Sequence, residues 1–362
     1  MGTEIHEQSV LVHRDGRAGR IVLNRPGALN ALTHEMVARI SAALDAWEHD
    51  DAVELVVLSG AGERGLCAGG DIRAIHRDAV NGDVEPTRRF WQDEYRLNAR
   101  IARYPKPYVA LMDGIVMGGG VGLSAHGSVR IVTERTRMAM PETRIGLVPD
   151  VGGTYLLSRA PGELGTHLAL TAATIGPGDA LLCGLADHYV PSDRLGALVD
   201  DLAAHGLDAA LARHVGAAPD APLARQRRWI DACYAADTVE GLLSRLSADG
   251  DGDGSAADAA RLIVANSPTA VKATLASLRR ARRLTTLEAT LDQEFRVSCH
   301  ALTTPDLPEG IRAQVVDKDR TPRWNPPTLA AVTDEAVARF FAPLGDAELG
   351  LAAAAFGSAM VR

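Results

Sequence analysis

Three short apolar runs constrain this chain most: residues 55–58, Tyr108–Met112 and Val129–Val132. Each has the length of a buried strand, and segments of helical length separate them. Strand, helix, strand in this rhythm predicts an α/β fold with parallel pairing. Upstream, residues 10–13 and 21–24 flank Arg14-Asp15-Gly16 and predict a hairpin, which Pro26 and Gly27 bring to a stop. Thr33 is placed to cap a helix whose apolar residues Met36, Val37, Ile40, Leu44 and Trp47 recur at helical spacing. From about Asp179 onward the pattern becomes nearly all helical and rich in Ala and Leu. At 362 residues the chain exceeds the usual size of one domain. The reading is a core over residues 1–200 and a helical C-terminal region over 201–362.

The net charge is −8 with Lys and Arg scattered, so broad nucleic-acid binding is not expected. The densest basic run, Arg279, Arg280, Arg282 and Arg283, lies in a helical pattern. It reads either as a solvated face or as a local anion site, such as a contact to a nucleotide phosphate. Cys67, Cys183, Cys233 and Cys299 form no C-x-x-C pair, so neither a zinc site nor a disulfide framework is indicated, and a cytoplasmic location is expected. The opening MGTEIHEQS lacks the basic and apolar regions of a signal peptide, and no apolar run approaches the length of a membrane span. Asp249, Asp251, Asp253 and Gly254 imitate a calcium loop, but Ala260 stands where the bidentate Glu belongs, so a solvated linker is expected.

Two glycine-rich segments carry the chemistry. Gly60-Ala61-Gly62-Glu63-Arg64-Gly65 satisfies G-x-G-x-x-G, yet a dinucleotide fingerprint needs a helix opening inside it, and Leu66-Cys67-Ala68-Gly69-Gly70-Asp71 follows instead. Met117-Gly118-Gly119-Gly120 follows the run Tyr108–Met112 and precedes an apolar helical stretch. Three glycines there would leave free N–H groups at a helix start, where negative charge is favoured. Two such loops could aim two N–H donors at one oxygen, forming an oxyanion hole; tight turns chosen for packing alone are the competing reading.

The segments Ile21-Val22-Leu23-Asn24-Arg25-Pro26, Asn30-Ala31-Leu32, LCAGGDI at 66–72 and KPYVALMDGIVMGGGVGLS at 106–124 together resemble the enoyl-CoA hydratase/isomerase (crotonase) superfamily. AMPETRIGLVPDVGGTYLLSR at 139–159, SPTAVKATL at 267–275 and EGIRAQVVDKDRTPRW at 309–324 resemble one branch of it, the 3-hydroxyisobutyryl-CoA hydrolases. The resemblance spans nearly the whole chain. It implies a crotonase-like spiral of ββα turns that binds acyl-CoA, with C-terminal helices covering the site and mediating association into a trimer or a multiple of it. It implies hydrolysis of an acyl-CoA thioester in valine breakdown, with coenzyme A carried by the substrate and no separate cofactor or metal.

By the resemblance, Ala68 and Gly119 supply the oxyanion N–H groups, and Glu94, Gly118, Gly119, Gly70 and Asp71 contact substrate. The hydratases use two glutamates. One matches Glu142; the other falls on Gly122, which has no side chain to act as acid or base. The hydrolase branch pairs Glu142 with Asp150 instead. A carboxylate can activate water or attack the carbonyl directly, and two carboxylates close in space would push their pKa values apart. Taken without the resemblance, Glu94 reads as a solvated helix acid, Asp150 as an N-cap, and His126 and His188 as core histidines. An alkene hydratase, or an acyl-CoA binder without activity, are the alternatives.

Overall fold

The computed structural model describes residues 8–248 and 254–359. The calcium-loop positions 249–253 lie outside them. Strands β1 (Val10–Asp15) and β2 (Ala18–Leu23) form the expected hairpin, with Val10 opposite Leu23. They are followed by β3 (Leu55–Gly60), β4 (Gly65–Cys67), β5 (Tyr108–Met112), β6 (Ile115–Met117), β7 (Val129–Val132), β8 (Arg137–Ala139) and β9 (His188–Tyr189). One sheet runs β1-β2-β3-β5-β7-β9 and a second runs β4-β6-β8. Every pairing after the hairpin is parallel. The pairs β3–β4, β5–β6 and β7–β8 each place their first strand in the large sheet and their second in the small one before the chain turns helical. That repeat is the ββα turn, and it winds the chain into a spiral. Strand β9, only two residues long, lies beyond Asp179, where the sequence pattern reads as nearly all helical.

At the central strands β3 and β5 both faces of the large sheet are buried, because alternate side chains leave a strand on opposite sides. Val56, Leu58, Tyr108, Ala110 and Met112 enter one apolar cluster. Leu55, Val57, Val109, Leu111 and Ile131 enter another, closed by the helices Leu195–His205 and Leu207–His214. The first cluster continues into residues such as Leu278, Leu291, Phe295 and Ile311, so the helices Pro268–Ala281, Leu287–Ala301 and Asp306–Ile311 share the core of the strands. The change of composition near residue 200 therefore marks no break in the packing.

The arginine run belongs to this packing. Arg279 and Arg282 both pair with Glu163, at 2.9 and 2.7 Å, and the Arg280 guanidinium lies over the Phe341 ring. The anion for two of the four arginines is thus an internal carboxylate rather than a nucleotide phosphate.

Helix α1 (His34–Glu48) starts as expected, with the Thr33 hydroxyl accepting from the Met36 N–H at 3.3 Å and Met36, Val37, Ile40, Leu44 and Trp47 buried. Thr33→Ala removes that acceptor, and a loss of about 1 kcal/mol of stability is expected. Chemical denaturation measures it; an unchanged midpoint and slope would show that the cap contributes nothing.

Candidate active site

Four elements converge on one cavity of about 250 Å³. The turn from β4 into helix α2 (Ile72–Asn81) brings Gly69 and Gly70. Helix α3 (Glu85–Ala102) brings Trp91 and Glu94. The turn from β6 into helix α4 (Gly119–Ser124) brings Gly118 and Gly119. The 3-10 turn Glu142–Ile145 and the loop after it bring Glu142 and Asp150. Gln314 and Val315, from beyond the helix Asp306–Ile311, line the cavity too.

The backbone donors differ from expectation at one position. The Ala68 N–H donates to the Leu29 carbonyl at 3.0 Å, which uses it up. Two residues on, the Gly70 N–H has no acceptor among the described residues, and neither has the Gly119 N–H. They adjoin: a Cβ placed on Gly119 would lie 3.4 Å from the Gly70 nitrogen, and only 2.5 Å from Glu94 Oε1. A side chain at 119 would displace the Glu94 carboxyl that faces it. Ala68 lines the cavity without offering its N–H. Asp71 does not line it; its carboxylate takes the Arg25 guanidinium at 3.2 Å.

Glu94, Glu142 and Asp150 are 2, 5 and 6 % exposed, so Glu94 is no solvated helix acid. Nor does Asp150 cap a helix, since Gly152 occupies the N-cap of helix α5 (Gly153–Ser158). Burial, followed by the charges of Asp150 and Glu142, holds the Glu94 carboxyl well above the usual range. Burial and the Asp150 charge do the same to Glu142. Asp150 is pushed up by burial to about 6, while a hydrogen bond from the Tyr95 hydroxyl at 2.7 Å works against the rise. Burial thus raises all three, and the hydrogen bond from Tyr95 sets Asp150 apart from its two neighbours. One oxygen of Glu94 (Oε1) and one of Glu142 (Oε2) are buried with no partner among the described residues.

The loop that presents Asp150 is strained and pinned. Val151 has φ +52°, a left-handed conformation that costs a β-branched residue about 1–3 kcal/mol. The His126 imidazole donates through Nε2 to the Val151 carbonyl at 2.8 Å, and burial lowers this histidine to about 4, so it stays neutral. Glu294 accepts from the Gly152 N–H at 2.6 Å and the Thr154 N–H at 2.8 Å. His126 is therefore structural, as expected, whereas Glu294 is a functional support absent from the sequence reading. Its signal is an acid among the helical positions that include Leu291 and Phe295.

Gly122 is buried under the same loop. A Cβ there would sit 2.6 Å from Val151 Cβ and 2.9 Å from Asn98 Nδ2. The room that a second glutamate would need is filled.

The two linked sheets, with ββα turns wound around them, define a crotonase-fold protein. The chain belongs to the enoyl-CoA hydratase/isomerase family, whose model matches residues 18–341. It is 41 % identical to the mitochondrial 3-hydroxyisobutyryl-CoA hydrolase of Danio rerio, over 94 % of this chain and 91 % of that one. To the protein of the same name from Homo sapiens it is 39 % identical, over 94 % and 90 %. Among solved structures it resembles a carnitinyl-CoA dehydratase from Mycobacterium thermoresistibile (TM-score 0.91, 56 % identity, 95 % of this chain and 98 % of that one). It also resembles an enoyl-CoA hydratase from Rhodobacter sphaeroides 2.4.1 (TM-score 0.90, 46 % identity, 94 % and 99 %). The expected cytoplasmic location is corrected by the curated relatives, which are named as mitochondrial proteins. Cysteine pattern alone does not distinguish one reducing compartment from another.

Proposed function

We propose that this enzyme hydrolyses the thioester of 3-hydroxyisobutyryl-CoA, with the Gly70 and Gly119 N–H groups holding the thioester oxygen and Glu142 driving the attack. The carrying observation is the side-chain set around the glycine turns: Glu142 and Asp150 are buried in the cavity, and Val151 and Asn98 close the space at Gly122. Adding water across a double bond with two glutamates would need a carboxylate at that closed position. The hydrolase names of the curated relatives support the same reading. The dehydratase and hydratase titles of the two solved structures describe alkene chemistry, and the filled space at Gly122 weighs against it here.

In the reaction the ionised Glu142 takes a proton from water as the water oxygen adds to the thioester carbon. Direct attack by Glu142, forming a mixed anhydride that water then cleaves, starts from the same ionised group. Either way the carbonyl oxygen becomes negative between two N–H donors that need no rearrangement to receive it. A donor of this kind contributes about 3–4 kcal/mol to transition-state stabilisation. Collapse breaks the C–S bond, and the departing sulfur leaves as CoA thiol once protonated. Coenzyme A is part of the substrate, and no other cofactor enters the scheme.

A panel of acyl-CoAs tests this. Free thiol release is expected with 3-hydroxyisobutyryl-CoA, and the alkene absorbance of crotonyl-CoA is expected to stay constant. Rapid hydration of crotonyl-CoA without thiol release would overturn the assignment.

A further inference from the structure

Tyr95 is fully buried in helix α3, one residue after Glu94, and its hydroxyl joins two parts of the chain far apart in sequence. It donates to Asp150 Oδ2 at 2.7 Å and lies 2.9 Å from Ser298 Oγ on the helix Leu287–Ala301. Because the carboxylate oxygen accepts from Tyr95, the serine hydroxyl is the donor in the second bond. The chain of bonds runs Ser298 to Tyr95 to Asp150, and all three residues are buried. Asp150 Oδ1 accepts from no other residue among the described ones, and Asp150 lines the cavity.

We propose that Tyr95, backed by Ser298, is a positioning residue that locks the Asp150 carboxylate in one rotamer, with Oδ1 presented to a hydroxyl on the acyl chain. The inference rests on the reading of the site as a β-hydroxyacyl-CoA hydrolase and deepens it by naming what sets hydroxyl specificity. A carboxylate with both oxygens free would rotate and lose rotamer entropy on meeting the substrate; one held from behind meets it already oriented. The groups facing Asp150 make the support necessary. Glu142 from the 3-10 turn and Glu94 from α3 are acids whose ionisation the Asp150 charge opposes, Glu294 stands on the helix behind it, and the side chain that donates to it among the described residues is Tyr95. The ring itself is fixed edge-on against Phe295, with 6.0 Å between centroids, so the hydroxyl has little freedom to follow a moving carboxylate.

Tyr95→Phe keeps the ring and deletes the hydroxyl. Its kcat/KM is expected to fall about tenfold or more on 3-hydroxyisobutyryl-CoA and less than about twofold on isobutyryl-CoA, which lacks the hydroxyl. In an Asp150→Asn background the same change is expected to cost neither substrate anything further, because the partner it positions is already altered. Ser298→Ala is expected to move the ratio in the same direction by a smaller factor. Circular dichroism and a thermal melt establish that each variant is folded. Equal losses on the two substrates, or losses that add to those of Asp150→Asn, would overturn the proposal. Should Asp150→Asn by itself fail to discriminate the substrates, the underlying reading of Asp150 falls. Should it discriminate while Tyr95→Phe does not, only the role of Tyr95 falls.

Discussion

Glu142→Gln is expected to lower kcat by a factor on the order of 10² or more while leaving substrate binding nearly intact. The replacement keeps the shape of the side chain and removes the carboxylate. Binding should survive because the N–H groups of Gly70 and Gly119, and the apolar wall including Trp91 and Leu147, are untouched. Chemistry should not, because an amide neither takes a proton from water nor attacks a thioester. The pH dependence sharpens the test. Burial and the Asp150 charge raise Glu142 above the usual carboxylate range. The reactive form is deprotonated, so wild-type kcat/KM should rise with pH through that raised pKa and fall away below it. In the variant the residual rate should lack this limb. The three carboxyls repel one another, so the wild-type limb reports the set rather than one isolated group. Single-turnover thiol release across the pH range measures both effects. Wild-type turnover in a folded Glu142→Gln protein would remove Glu142 from the mechanism.

What the sequence makes legible follows from how local each feature is. The parallel strands are visible because Val56, Val57 and Leu58 are apolar in succession, which suits a strand buried on both faces. The α1 start is visible because Thr33 and the spacing from Met36 to Trp47 are local. The acids Glu142 and Asp150 are visible only through the resemblance, since nothing local separates a catalytic carboxylate from a cap. Strand β9 is not visible, because two residues cannot display a period; its place is set by pairing with Ile131 and Val132.

The difference at Ala68, whose N–H is already taken, has the same origin. Ala68 and Gly70 sit in one glycine-rich turn, and which of them offers its N–H depends on where the Leu29 carbonyl lies. That carbonyl belongs to a turn with Leu29 and Asn30 at φ +53° and +55°, a conformation that sequence pattern alone does not announce for leucine. Tyr95 and Glu294 escape for a related reason. Each lies on the buried face of a regular helix, where a polar group signals a partner without naming it. The partners, Asp150 and the 152–154 backbone, are 55 and about 140 residues away.

Asp150→Asn is expected to slow 3-hydroxyisobutyryl-CoA hydrolysis by a factor on the order of 10² or more, and isobutyryl-CoA hydrolysis far less. The argument starts from cost. An apolar acyl chain bound against a buried carboxylate would leave that group without water or partner, and such desolvation is unfavourable. A hydroxyl on the chain donates a hydrogen bond to it and removes the penalty. Asp150 is suited to accept, because it lines the cavity and the Tyr95 hydroxyl already holds its other oxygen. Asparagine keeps a carbonyl oxygen but loses the charge, and its amide group would compete for the Tyr95 hydroxyl as a donor facing a donor. The substrate hydroxyl would then meet either a weaker acceptor or an NH₂ group. A site built around one such bond rejects the analogue lacking it more strongly than an apolar pocket rejects a missing methylene. The measurement is kcat/KM for both substrates in both proteins, with the ratio of ratios as the quantity of interest. If Asp150→Asn slows both substrates equally, Asp150 does not read the hydroxyl, and its part is limited to the charge balance around Glu142.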